Sequence, residues 1–472
     1  MGTGENSNSG RPHWGSSLAF VIAAAGSAIG LGNIWKFPYI TGVYGGGAFV
    51  LIYLVTIAAV GLPLMVAEIM IGKHTQRSPA SAIRMLRGSG SPWMIVGVLS
   101  IVAAFVILSY YSVVAGWTLH YLFLSLKADF AGKDPDTIYQ MFADLYVNGP
   151  LNVFWHFVMM IFTTLIVYRG IKGGIERSTK ILMPALLGIL IILLMNSMFS
   201  EGAGPGLRFL FSPDFSKLSP KAVLEAVGHG FFTLSLGMGA MITYGSYLKK
   251  EGDIARPAMA IVAFDTVIAL LAGMVIFPIV FAYGFEPGAG PGLVFRTLPV
   301  VFSRMPGGTF MAILFFLLLF LAALTSAISL LEVVISYLVD SGKLKRHQAA
   351  IVSGAAIFSL GILSALSGGP FSHIKVPFIG KNLFDSFDYL ATNWILPLGG
   401  ILIATFTGWA LPDDIRKVEF LQNAPWWWHY KLWLFSIRWV TPIGVLLVFL
   451  HLIGVLEPVI GYLFYLFRLI VS

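Results

Sequence analysis

Cysteine occurs nowhere in the 472 residues, which excludes disulfides, thiolate catalysis and cysteine-held zinc. Charge is also scarce: 11% of residues are Asp, Glu, Lys or Arg, against about a quarter in a soluble domain. With 57% hydrophobic residues and a mean hydropathy of +0.84, this chain does not have water as its main solvent. No His-x-x-x-His or His-Glu pairing accompanies His229 or His451, and no nucleophile–base pair is evident, so an enzyme is not expected. The net charge of +8 does not mark a nucleic-acid partner, because the basic residues sit in short loops between apolar runs.

What the chain has is apolar sequence at membrane length. About 20 such residues cross a bilayer as a helix, and they recur near 16–43, 49–72, 92–126, 152–169, 175–197, 222–248, 256–283, 309–340, 349–368, 384–410 and 433–456. The expected class is an all-α integral membrane protein of about eleven spans, with the apolar tail from Glu457 extending the last one. Residues 1–13 are polar, weakly charged and followed by no cleavage signal, so they read as a cytoplasmic segment before a retained span.

Lys and Arg set the orientation. The loop after the second span carries Lys73, Arg77, Arg84 and Arg87 without an acid, and the loops at Lys172–Lys180, Lys249–Arg256 and Lys343–Arg346 are basic too. The loop after the third span instead carries Asp129, Asp134, Asp136 and Asp144. Basic loops face the cytoplasm, which puts the N-terminus inside and the C-terminus outside the cytoplasmic membrane. The external stretch 284–308, rich in Gly and Pro, reads as a lid or as an ordinary connection.

Two spans carry weak centres. The first holds Gly26-Ser27-Ala28-Ile29-Gly30-Leu31-Gly32-Asn33, and the sixth Thr233-Leu234-Ser235-Leu236-Gly237-Met238-Gly239. Each glycine costs a helix about 1 kcal/mol relative to alanine. Unwinding there frees N–H and C=O groups that lipid cannot satisfy. A single such span would read as close packing, since Gly26 and Gly30 also form a Gly-x-x-x-Gly pair. Two of them, five spans apart, point to an inverted-repeat transporter with its site between the halves.

Neutral oxygens from Asn33, Thr233, Thr325 and Ser326 fall inside apolar spans, where a small hard cation would take them together with freed carbonyls. The competing use of the hydroxyls is a bond to the preceding turn. Glu68, Asp265 and Glu332 also lie within spans, each costing about 2.5–3.5 kcal/mol unless compensated. Glu68 is suited to accept freed backbone N–H groups, Asp265 to neutralise a cation, and Glu332 to join a cytoplasmic charge network.

Ala28–Asn33 followed by Ile-Trp-Lys-Phe-Pro, the stretch Phe231-Phe232-Thr233-Leu234-Ser235-Leu236-Gly237, and Leu324-Thr325-Ser326-Ala327 resemble the neurotransmitter:sodium symporter family, from about Arg11 to about Pro442. The resemblance implies two inverted five-span repeats, 14–197 and 222–410, followed by an eleventh helix within 433–472. It implies a first sodium held by Ala28 carbonyl, Asn33, Thr233 and Asp265, completed by the substrate carboxylate. A second sodium would take carbonyls of Gly26, Ile29 and Ala322 and hydroxyls of Thr325 and Ser326. The substrate carboxylate would meet Leu31 and Gly32 N–H and the Tyr111 hydroxyl; its amine would meet carbonyls of Ala28, Phe232 and Ser235. Ile107, Val114, Phe232, Met238, Ser326 and Leu330 would line an uncharged side-chain pocket, suited to Leu, Met, Phe, Tyr or Trp. Gly237-Met238-Gly239 resembles bacterial members that take bulky aromatic amino acids.

The gates follow by the same resemblance. Tyr111 and Phe232 would form an aromatic lid, with Lys36 and Asp388 outside it. Relatives more often carry Arg at the Lys36 position, and Lys lacks its planar fork. Inside, Arg11 would pair with Asp340 near Tyr247 and Glu332, while Trp14 plugs the path. Gly174 and Pro184 resemble a fifth-span element that unwinds to admit water. Chloride-dependent relatives have Asn where this chain has Asp265, and often Ser at Ala269; a fixed carboxylate there implies chloride independence, with Tyr53, His229 and Thr233 lining a vestigial anion pocket. The expected function is sodium-coupled symport of hydrophobic L-amino acids by alternating access, with two sodium ions, no organic cofactor, and a monomer sufficient. A proton-coupled permease using Asp265 or Glu68, an amino-acid sensor of the same fold, and an ion channel are the alternatives.

Overall fold

The computed structural model describes residues 11–285, 293–422, 427–456 and 458. The first ten residues, the centre of the Gly/Pro-rich loop and nearly all of the tail after Leu456 lie outside the described residues, as do the expectations that fall on them. Among the described residues the regular structure is helical.

Among the described residues, nine helices are long and apolar enough to cross a bilayer, and a bent pair adds a tenth span. In chain order they begin with that pair, α1 (Ser17–Ala28) and α2 (Gly32–Val43), then α3 (Gly47–Thr75), α4 (Met94–Leu126), α5 (Gly149–Tyr168) and α6 (Ile171–Met198). The next span is split into α7 (Pro220–Thr233) and α8 (Ala240–Gly245). The series ends with α9 (Ala255–Ala282), α10 (Gly308–Asp340), α11 (Arg346–Ala365), α12 (Leu383–Ala410) and α13 (Trp428–Leu452). Counting each broken pair once gives eleven spans, the expected number.

Span lengths show the repeat. After the broken first and sixth spans come helices of 29 and 28 residues (α3, α9), 33 and 33 (α4, α10), 20 and 20 (α5, α11), and 28 and 28 (α6, α12). The two longest, α4 and α10, pack most extensively against each other. Lipid gives no hydrophobic drive between helices, so contacts depend on close approach at small residues. A Cβ at Gly116 would lie 2.9 Å from Trp155 backbone, and one at Gly361 would lie 2.3 Å from His156 Nε2, so α4 and α11 both press onto α5 through glycine.

Proline shapes the scaffold as well. Pro63 has no N–H for the Ala59 carbonyl; that carbonyl accepts the Ser436 hydroxyl instead, and Pro63 O accepts the Trp433 indole at 3.0 Å. Both bonds tie α13 to α3. Just beyond α12 the helix Asp413–Leu421 is fixed by Arg416, which donates to the Thr407 and Gly408 carbonyls at 3.0 and 2.7 Å.

Candidate functional site

The two breaks face each other at the centre of the molecule. Helix α1 ends in an extended Ile29 (ψ 96°), and the chain resumes as α2 after a 52° bend. Between α7 and α8, Ser235, Gly237 and Gly239 take positive φ of 54°, 80° and 73°. Left-handed backbone costs an L-residue about 1–2 kcal/mol. Glycine avoids that cost at 237 and 239, while Ser235 is held by its hydroxyl donating to Ser27 O at 2.9 Å. The freed amide of Gly237 donates to the buried Glu68 Oε1 at 2.7 Å, so a neighbouring acid answers the exposed backbone.

Asp265, on α9 and completely buried, gathers the first oxygen cluster. Its Oδ1 accepts from Asn33 Nδ2 at 2.8 Å and Thr233 Oγ1 at 3.0 Å, and its Oδ2 accepts from Tyr53 at 3.2 Å. Asn33 Nδ2 also donates to Asp265 O at 3.1 Å, and its Oδ1 accepts the Gly30 N–H at 3.0 Å. Both broken spans thus converge on one carboxylate, a few residues from the C-terminal carbonyls of α1. His229 stacks on Phe37 at 6.0 Å and lies beside Tyr53, at the edge of this cluster.

A second cluster joins α1 to α10. A Cβ at Gly26 would sit 3.5 Å from Thr325 Cβ, and one at Gly30 would sit 2.6 Å from Ser326 Oγ. Thr325 Oγ1 donates to Ala322 O at 3.0 Å and Ser326 Oγ to Ser27 O at 3.1 Å, so the hydroxyls do bond to nearby carbonyls. Each still presents lone pairs. Ser27 Oγ donates to Ser329 Oγ at 2.7 Å, a buried tie that sequence reasoning did not find.

Between the clusters lies a cavity of about 30 Å³ lined by Ala28, Leu31, Gly32, Ile107, Tyr111, Phe232, Thr233, Ser235, Met238, Ser326 and Leu330, with Ser27 and Gly30. That volume is about one water's share of the liquid, so any amino acid must displace side chains to enter. The buried Tyr111 hydroxyl borders this cavity beside Ser326 and the Leu31 amide, without a hydrogen bond of full geometry to either. No charged side chain lines the cavity. Val114, placed in this lining by the family pattern, is buried but does not border the cavity.

Outside Phe232 is a larger cavity of about 240 Å³, lined among others by Lys36, Asp388, Glu225 and His451. Lys36 Nζ lies 5.4 Å over the Phe232 ring. Lys36 and Asp388 make no ion pair among the described residues, so the outer gate is not closed by one here. Both side chains line that cavity.

The end of the bundle at which α1 begins is sealed. Arg11 pairs with Asp340 at 2.5 Å, donates to Ser246 Oγ at 2.8 Å, and lies 4.8 Å over the Tyr247 ring. Tyr247 donates to Glu332, which Arg346 grips at 2.6 and 3.0 Å. Trp14 is 3% exposed, and its indole donates to Tyr244 O at 2.9 Å. Arg346 was not anticipated as the partner of Glu332; an unpaired intramembrane acid followed by a basic loop was the available signal.

Comparison with known proteins agrees with this architecture. The model of the Sodium:neurotransmitter symporter family matches residues 11–141 and 135–468. An uncharacterized sodium-dependent transporter of Bacillus subtilis (strain 168) is 39% identical over 450 residues, covering 94% of this chain and 98% of the relative. One from Haemophilus influenzae is 36% identical over 452 residues with the same coverage. A crystal structure of MhsT in complex with L-phenylalanine matches with a TM-score of 0.85 and 45% identity, over 93% of this chain and 99% of that one.

Proposed function

Because the chain belongs to the sodium:neurotransmitter symporter family, we propose that this sodium-coupled symporter imports hydrophobic and aromatic L-amino acids with two sodium ions and without chloride. The observation that carries the reading is the inner cavity: uncharged side chains surround a space flanked by two unwound backbones. Freed N–H groups suit a carboxylate, and freed carbonyls suit an ammonium and cations. An apolar wall then selects the side chain.

In this reading the zwitterion's carboxylate meets the Leu31 and Gly32 amides and the Tyr111 hydroxyl, and the placement of all three residues on the inner cavity supports the role. The same carboxylate completes the first sodium site with Ala28 O, Asn33, Thr233 and Asp265. Ion and substrate therefore stabilise each other. Asp265 supplies a fixed negative charge beside that ion, which removes the need for a mobile anion. The second sodium sits between Gly26, Ile29 and Ala322 carbonyls and the Thr325 and Ser326 hydroxyls. Met238, flexible and set between two left-handed glycines, makes room for bulky side chains. The L-phenylalanine in the MhsT structure supports an aromatic substrate.

The cycle starts with the Arg11–Asp340, Glu332–Arg346 and Trp14 contacts closed. Substrate and ions enter from outside, Tyr111 and Phe232 close over them, and the bundle containing α1 and α7 rocks against α4 and α10. The repeats 14–197 and 222–410 supply the two halves, with the N-terminus cytoplasmic. Moving two net charges is worth about 4.6 kcal/mol per 100 mV, from about 2.3 per charge, before the sodium gradient adds to it.

The test is radiolabelled uptake into proteoliposomes across an amino-acid panel, with sodium present or replaced by choline, and chloride present or replaced by gluconate. Sodium-dependent, chloride-independent uptake of Leu, Met or aromatic amino acids is expected. Uptake that persists without sodium at acidic pH would instead favour the proton-coupled alternative.

A further inference from the structure

Consecutive amides at the start of α1 reach in two directions. The Trp14 N–H donates to Tyr247 O at 3.0 Å, just beyond α8. The Gly15 N–H donates to Glu176 Oε2 at 2.9 Å, on α6. Glu176 is 6% exposed, and its Oε1 is held by Lys180 at 2.7 Å. A Cβ at 15 would lie 2.7 Å from Glu176 Oε1, so a side chain there would push the carboxylate away. The backbone was kept bare where this carboxylate meets it.

The part of α6 that carries Glu176 is weakly built. Residues Ile171–Glu176 form a wide π turn containing Gly173-Gly174, and a Cβ at Gly174 would lie 2.0 Å from Ile166 O. About two turns on, Pro184 has no N–H to offer the Lys180 carbonyl. Met183, next to it, packs onto α1, with Sδ 3.1 Å from a Cβ built at Gly26. Glu176, Thr179 and Met183 are spaced three and four residues apart and share one face of α6.

One weakened stretch of α6 therefore touches both ends of α1. A carboxylate lies at the positive N-terminal pole of that helix, and a thioether lies beside Gly26, where the second sodium's carbonyls are placed. The helix dipole makes these two ends electrically complementary to an anion and a cation respectively.

We infer that Glu176 is a positioning residue that locks α6 to the Trp14 plug, so that the path to the second sodium site opens only when the Gly15 bond is released. While sodium neutralises the far end of α1, the helix is gripped at both poles. When the ion leaves, the Glu176 contact is what still ties α6 to the segment that carries the plug, and its release uncouples α6 from that segment. The inference rests on the second-sodium assignment proposed above.

The absence of cysteine makes the test direct, because Thr179→Cys introduces a single thiol on the Glu176–Met183 face. Its reaction with a hydrophilic maleimide is timed in the purified full chain, with sodium titrated. Sodium is expected to slow labelling in the Glu176 background. Adding Glu176→Ala should raise the rate in sodium, and the sodium needed for half-maximal protection, about tenfold, a shift of about 1.4 kcal/mol. Gly15→Ala should act in the same direction by displacing the carboxylate with α6 unaltered, and it gives the answer if Glu176→Ala does not fold. Glu176→Gln keeps an acceptor for the Gly15 amide and should retain most of the protection. Unchanged rates and sodium dependence in both Glu176→Ala and Gly15→Ala would overturn the inference, as would lower yield or uptake with protection unaltered. If sodium fails to protect the thiol with Glu176 intact, the second-sodium assignment falls and this inference with it.

Discussion

Asn33→Ala removes the residue through which the first broken span meets Asp265. The wild-type amide makes three bonds, accepting from Gly30 N–H at 3.0 Å and donating to Asp265 Oδ1 and O at 2.8 and 3.1 Å. A hydrogen bond to a charged group is worth about 1.5–3 kcal/mol, and an orphaned buried N–H costs about 1–3 kcal/mol. The change deletes one proposed sodium ligand and also loosens the turn that presents the others. At about 1.4 kcal/mol per factor of ten, a loss of about 1.5–3 kcal/mol raises the sodium needed for half-maximal uptake about 10- to 150-fold. Because ion and substrate share the site, substrate affinity should fall at low sodium and recover at saturating sodium. The assay is initial-rate uptake in proteoliposomes over a sodium titration at two substrate concentrations. A variant that transports at the normal maximal rate with an unshifted sodium curve would refute the placement of an ion between Asn33 and Asp265.

Gly30→Ala places a methyl 2.6 Å from Ser326 Oγ and 3.3 Å from the Tyr111 hydroxyl, and should weaken substrate binding about tenfold or more; binding of the labelled amino acid to purified protein reads it. Ile107→Ala should change the ranking of Leu against Phe, whereas Val114→Ala, outside the cavity lining, should leave it unaltered in competition uptake. Trp14→Ala opens the cytoplasmic seal; truncating a buried Trp costs about 3–5 kcal/mol, so the inward-open population should rise, seen as faster labelling of an introduced cytoplasmic-path thiol. On the short helix after α12, burial pushes Glu419 upward, but His74 and Lys73 outweigh it and hold the carboxyl below its usual range. A depressed folded pKa stabilises above the unfolded value, about 4.3, and that contribution disappears as pH falls through the folded value. Glu419→Gln should therefore lower the melting temperature at pH 7, with the difference from the parent shrinking as the pH is brought below 4.

The parts of this protein that sequence reveals are those that break a local rule. Gly26 to Asn33 and Thr233 to Gly239 are poor helix inside strongly apolar spans, and the structure departs from helix at both. Glu68 and Asp265 are acids where lipid offers no partner; the first accepts a freed amide and the second gathers three donors. Glu332 likewise signalled a network, although its partner Arg346 lies across a turn and no periodicity links the two.

What stayed hidden depends on the separation of whole helices. Lys36 and Asp388 line one cavity of about 240 Å³, but whether they touch depends on how far α2 and α12 stand apart. Val114 shows the same limit at finer scale: it shares the Ile107–Tyr111 face of α4, and whether it borders the cavity depends on its height along that helix, which no sequence period records. Gly15 was illegible for the opposite reason. It looks like a linker glycine before a capping serine, yet its lack of a side chain is required by Glu176, 161 residues away. Residues whose role is set by a distant contact become readable only once the fold has brought that contact about.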